Sequence, residues 1–200
     1  SRPFSKRQIR RYFQGGEGIV IDNNGPELIC SAGFSAIDVE TLCLPESHRP
    51  QEIYHAPWHP PFPEQPGFYH FGRMYYARRS RIDFALIEKL EETYILNAMV
   101  RTSIPEYPTL FIDDFDFGTS IPVGHHICKS GYGTGSTCGI INTLNSRLAL
   151  IRGTDFYHIT KVNMETLEND RGGTVFYFTF SDDNAYFMIS GYGICSHTYS

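Results

Sequence analysis

The feature that most constrains this chain is its rhythm. Short runs rich in Val, Ile, Tyr and Phe recur about every ten residues, and each is closed by Gly, Pro, Asn, Asp or Ser. "GIVI", "ELIC", "FYHFGRMYYARR", "IDFALIEKL", "RLALIRG", "DFYHITKVN", "GTVFYFTFS" and "AYFMISGYG" are such runs. Helices need longer uninterrupted stretches, so the pattern predicts an all-β sandwich or barrel. The 18 Gly, 12 Pro, 13 Tyr and 15 Phe among 200 residues point the same way. A chain of this length buries a core in one or two lobes. A break near residues 105–120 divides it into a first β lobe, about 15–104, and a second, about 121–200. No repeat of fixed period is present.

Turn chemistry places several hairpins. "DNNGP" separates "GIVI" from "ELIC", and a Gly-rich turn sits inside "HHICKSGYGTGSTCGIINTL". Residues 45–66 hold seven of the twelve prolines, interleaved with Tyr54, Trp58 and Phe62. Proline supplies no backbone N–H, so "HAPWHPPFPEQP" within it is expected to be neither a central strand nor a helix interior. It reads as an irregular loop that packs its aromatics on the body or offers Trp58 and Phe62 to a partner.

Charge is unevenly placed. The net charge is -5, which argues against bulk nucleic-acid affinity. Yet residues 1–14 carry Arg2, Lys6, Arg7, Arg10 and Arg11 with no acidic residue. This basic arm is either solvated or docks on an acidic surface. No apolar run approaches the roughly 18 residues of a membrane span.

Metal chemistry has weak support. Cys30, Cys43, Cys128, Cys138 and Cys195 are an odd set with no CxxC spacing, which argues against zinc. They are too sparse for a disulfide scaffold, although Cys128 and Cys138 could bridge a short hairpin. Asp113, Asp114 and Asp116 lack the ligand spacing of a calcium loop. His125 and His126 are adjacent, and on a strand they point to opposite faces. The expectation is no metal and no cofactor.

Taken together, several segments resemble the chymotrypsin- and trypsin-like serine proteases, nearest to the streptogrisin-like and fungal trypsin-like branch. "VGHHICKSGYGTGSTCGII", Val123 to Ile141, is similar to that branch's Lys- or Arg-Ser-Gly turn followed by Cys-Gly. "ENDRGGTVF" resembles the nucleophile loop, "SRIDFALIE" the strand of the triad aspartate, and "CSAGFSA" the segment of the triad histidine. The resemblance spans about residues 15–195 in family order. It implies two antiparallel β-barrels with a cleft between them.

The resemblance also implies triad positions at Phe34, Asp83 and Arg171. A triad needs a hydroxyl, an imidazole and a carboxylate. Phe34 offers no acceptor nitrogen, and Arg171 is a permanent cation. Oxyanion donors would come from the loop of Asn169, Asp170 and Gly172, where Asn169 replaces the family glycine. Asp170 matches a carboxylate that pairs with a new N-terminal amine in activated members, and no such amine is evident. Tyr192 falls at the groove wall.

The expectation is therefore a pseudoprotease, not an enzyme, that binds a protein or peptide. The alternative is a hydrolase with relocated machinery built on Cys30 or Ser31. Expected partners exclude membranes and disfavour nucleic acid. The family's paired cysteines beside the histidine and before the nucleophile are missing, which suggests an intracellular setting, while a Cys128–Cys138 bridge leaves a secreted one open.

Overall fold

The computed structural model describes residues 10–21, 28–35, 51–57, 67–80, 82–115, 121–149, 155–179 and 188–194. Among these there is no α-helix, and a single 3-10 turn spans Glu168–Asp170. The strands are β1 (Arg11–Gly15), β2 (Gly18–Ile21), β3 (Leu28–Ser31), β4 (Gln51–Ala56), β5 (Tyr69–Ser80), β6 (Ile82–Lys89) and β7 (Tyr94–Arg101). They continue as β8 (Thr109–Phe115), β9 (His126–Gly131), β10 (Gly135–Ala149), β11 (Asp155–Asn163), β12 (Thr174–Thr179) and β13 (Met188–Ile194).

Two sheets result. The five-stranded sheet has the order β3-β2-β4-β5-β6, all antiparallel. The eight-stranded sheet has the order β1-β7-β8-β13-β12-β9-β10-β11, with parallel pairs at β1–β7 and β13–β8. The all-β, two-lobed expectation holds, with sheets that are open rather than closed barrels. The hairpins from "GIVI" to "ELIC" and from "HICKSG" to "GSTCG" pair in register, Ile19 against Cys30 and Lys129 against Thr137. Arg11, placed in the basic arm by sequence, lies in β1, and the stretch 105–120 contributes β8. The proline-free segment Gln51–Ala56 within the Pro-rich stretch forms β4, a central strand paired with β2 and β5 rather than part of an irregular loop.

Side-chain alternation builds the cores. Ile19, Ala32, Ile53, Phe71 and Tyr94 cluster in the first lobe, with Phe13 stacked on Phe71 at 4.3 Å between ring centres. Strand β9 shows the second lobe's logic. Consecutive residues point to opposite faces, so Cys128 joins Val100, Leu110 and Phe176 while Ile127 joins Ile121 and Ile141. Both faces are covered, which is why Ile127 to Gly131 are all buried. Each large apolar side chain buried this way contributes about 1.5–3 kcal/mol.

A charged staple ties the two sheets together. Gly16, at φ 90°, lets the chain turn from β1 into β2. Glu17 follows it and is buried. One Glu17 carboxylate oxygen accepts a bond from Arg101 Nη1 of β7 at 3.0 Å. The other lies 3.1 Å from His55 Nε2 of β4, off the line of a hydrogen bond. His55 Nδ1 meets the Tyr94 hydroxyl at 3.1 Å. Burial pushes the Tyr94 hydroxyl pKa up to about 12, so it stays protonated.

Candidate active-site cleft

The loop of residues 167–173 is organised around one buried carboxylate. Asp170 closes the 3-10 turn and is 0% exposed. Its Oδ1 accepts the Gly133 and Thr134 amides at 2.9 and 3.0 Å. Its Oδ2 accepts Lys129 Nζ, the Thr134 hydroxyl and the Leu167 amide, each at 2.8 Å. Burial pushes the Asp170 pKa up. The bonds from Lys129, Leu167 and Thr134 outweigh it and hold the carboxyl below 3.8.

The β9–β10 hairpin supplies these donors. Lys129 ends in the core because its strand is covered on both faces, and it is itself 0% exposed. Its ammonium also bonds the Thr134 hydroxyl at 2.5 Å. Gly131 sits where any Cβ would strike the Asp170 carboxyl group, so the backbone must be bare there. The sequence reading left Asp170 without a partner. The partner is Lys129, already visible in the Lys-Ser-Gly turn as a conspicuous residue but with no assigned role.

The same loop touches the first lobe. The Ser31 hydroxyl of β3 donates to Asn169 O at 2.6 Å and accepts the Tyr132 amide at 2.8 Å. The Ser31 amide donates to Arg171 O at 2.7 Å. The Thr174 hydroxyl donates to Gly33 O at 3.1 Å. Gly172, at φ 88°, lets the backbone pass this close, and a Cβ there would strike the Ser31 carbonyl. The structure thus brings Ser31, the segment of Phe34 and the Arg171 loop together.

The individual positions are as follows. Phe34 is half-buried, with its ring edge-to-face on Phe115 at 4.7 Å. Arg171 is 39% exposed, with Nη2 at 3.9 Å from Glu168 Oε1. Its amide donates inward to Glu168 O at 3.3 Å, so it does not point out as an oxyanion donor. Asp83 lies on β6 opposite Arg79, and its side chain falls outside the described residues. Tyr192 lies on β13 with its side chain likewise outside them, and Trp58 and Phe62 fall outside them entirely. Ser31 spends its hydroxyl on Asn169 and Tyr132, and no imidazole among the described residues is bonded to it. Cys128 and Cys138 are joined as a disulfide.

No family model matches the chain, and no curated protein matches it in sequence. Solved structures do. A glutamic acid specific serine protease, described as using a histidine triad in substrate binding, aligns at TM-score 0.63 and 18% identity, covering 94% of this chain and 86% of its own. Thermobifida fusca protease A aligns at 0.57 and 14%, covering 90% of each chain. Cellulomonas bogoriensis chymotrypsin aligns at 0.56 and 20%, covering 82% and 77%. The fold is that of the chymotrypsin-like serine proteases.

These neighbours correct one expectation. The chain was read as not an enzyme because Phe34 and Arg171 fall at triad positions. Every solved structure named above is a protease, and nothing in the shared fold shows that catalysis is lost, so the reading as a non-enzyme does not stand. The assignment of Phe34 and Arg171 rests on short motifs, and identities of 14–20% do not fix catalytic positions one by one.

Proposed function

We propose that this chain binds a protein or peptide segment on the surface where residues 31–34 of the first lobe meet the Arg171 loop of the second. One observation carries this reading. The loop of residues 167–173 is fully built around the buried Lys129–Asp170 pair, although a cation stands on it at Arg171. Burying such a pair costs several kcal/mol of desolvation per ion, which the surrounding hydrogen bonds offset. A loop held that firmly presents a fixed surface to a ligand, and rigid presentation lowers the cost of binding.

The test is fluorescence polarisation with labelled, unfolded casein as the probe. Saturable binding is expected. Arg171→Glu reverses the charge on the cleft loop and weakens binding about tenfold, or roughly 1.4 kcal/mol. Absence of saturable binding, or an unchanged affinity in the variant, would overturn the proposal.

A second reading, a hydrolase with relocated residues, draws support from the proteases that share the fold. A fluorophosphonate probe decides it: covalent labelling of a single serine favours hydrolysis. The disulfide between Cys128 and Cys138 favours an oxidising compartment over the intracellular setting first expected.

A further inference from the structure

Spacing in the sequence argued against a metal, but pairing of the strands groups ligands that spacing separates. Cys128 on β9 stands directly opposite Cys138 on β10. His126 precedes Cys128 by two residues and so shares its face of the strand. Its Nδ1 lies 3.9 Å from Cys128 Sγ, and one ligand atom from each of the three residues falls within 4.8 Å of the others. His126 and Cys138 are exposed, while Cys128 is buried. With the two sulfurs bonded to each other, neither can act as a ligand.

We propose that reduction of the Cys128–Cys138 disulfide converts this hairpin into a site for a borderline-soft divalent cation such as Zn²⁺. Cys128 Sγ, Cys138 Sγ and His126 Nδ1 are the ligands, and water enters from the exposed side as the fourth. The reductant is a dithiol. It gives up two electrons and two protons, closes to its own cyclic disulfide, and leaves two protein thiols. The cation then displaces both thiol protons, and the resulting dithiolate–cation unit is neutral.

Geometry and ligand type agree with this. Zn–S bonds of about 2.3 Å and Zn–N bonds of about 2.0 Å put neighbouring tetrahedral ligand atoms roughly 3.5–3.8 Å apart. The imidazole and Cys128 Sγ are already close to that separation, and only the sulfurs must part. Thiolate and imidazole select Zn²⁺ over hard cations such as Mg²⁺ or Ca²⁺. Either state, disulfide or metal, ties β9 to β10 next to Lys129.

The experiment uses the whole chain, reduced with dithiothreitol and freed of reductant without air. Zn²⁺ should slow iodoacetamide alkylation of Cys138 at least about tenfold, read peptide by peptide in the mass spectrometer. Co²⁺ should give a thiolate-to-cobalt charge-transfer band in the reduced chain and none in the oxidised one. His126→Ala should weaken Zn²⁺ binding at least about tenfold, and Cys138→Ser should abolish the band. Protection at Cys30, Cys43 or Cys195 in place of Cys138 would overturn the proposal. An unchanged affinity in His126→Ala, or loss of β-sheet circular dichroism on reduction alone, would do the same.

Discussion

Two charged clusters, one in each lobe, show how burial changes what an ion pair does. In the second lobe, Lys129 and Asp170 are both 0% exposed and sit 2.8 Å apart. In the first, His70 bridges Glu52 at 2.7 Å and Glu91 at 2.8 Å, with the three side chains 35%, 51% and 43% exposed. The distances are alike. The buried pair has no water to fall back on, so protein groups surround it: Lys129 bonds Asp170 and Thr134, and Asp170 also accepts Gly133, Thr134 and Leu167. The exposed cluster trades protein bonds for water at little cost. One therefore fixes a loop, while the other decorates a sheet surface.

The comparison can be broken most sharply at Lys129. Lys129→Met leaves Asp170 buried without its counter-charge, and a loss of about 3–5 kcal/mol is expected in urea unfolding. A loss under about 1 kcal/mol would mean the buried pair behaves like a surface one. Gly172→Ala probes the neighbouring loop. The positive φ and the clash with the Ser31 carbonyl should cost about 2 kcal/mol, with casein binding weakened in parallel.

Acid sharpens the contrast. The Asp170 pKa lies below 3.8, so its contribution is complete above that pH and is lost as pH falls through the lowered value. Unfolding midpoints along an acid series should show this loss in the wild type and not in Asp170→Asn.

The smallest effect is expected at His70. Hydrogen bonds to Glu91 and then Glu52 raise its pKa above 6.5, against a smaller downward push from burial. Its contribution is then complete below 6.5 and is lost as pH rises through the raised value. His70→Ala should cost at most about 1 kcal/mol on the acidic side, and less in alkaline buffer.

Much of this was legible in the sequence. Strand rhythm and turn residues placed the β2–β3 and β9–β10 hairpins, because alternation and turn chemistry are local properties. What stayed hidden were contacts between residues far apart in the chain. Lys129 and Asp170 are 41 residues apart, and Glu17 and Arg101 are 84 apart. A lysine on an amphipathic-looking strand gives no local sign that both faces of that strand will be covered.

The sequence by itself determined the all-β class, the hairpins and the bare glycines of the Arg171 loop. These depend on backbone preference and side-chain alternation, which each segment carries alone. Only the tertiary structure decided which charges are buried and with whom. It also brought His126, Cys128 and Cys138 together on one face. Those outcomes depend on strand order and register, and register is set by the packing of the whole sheet.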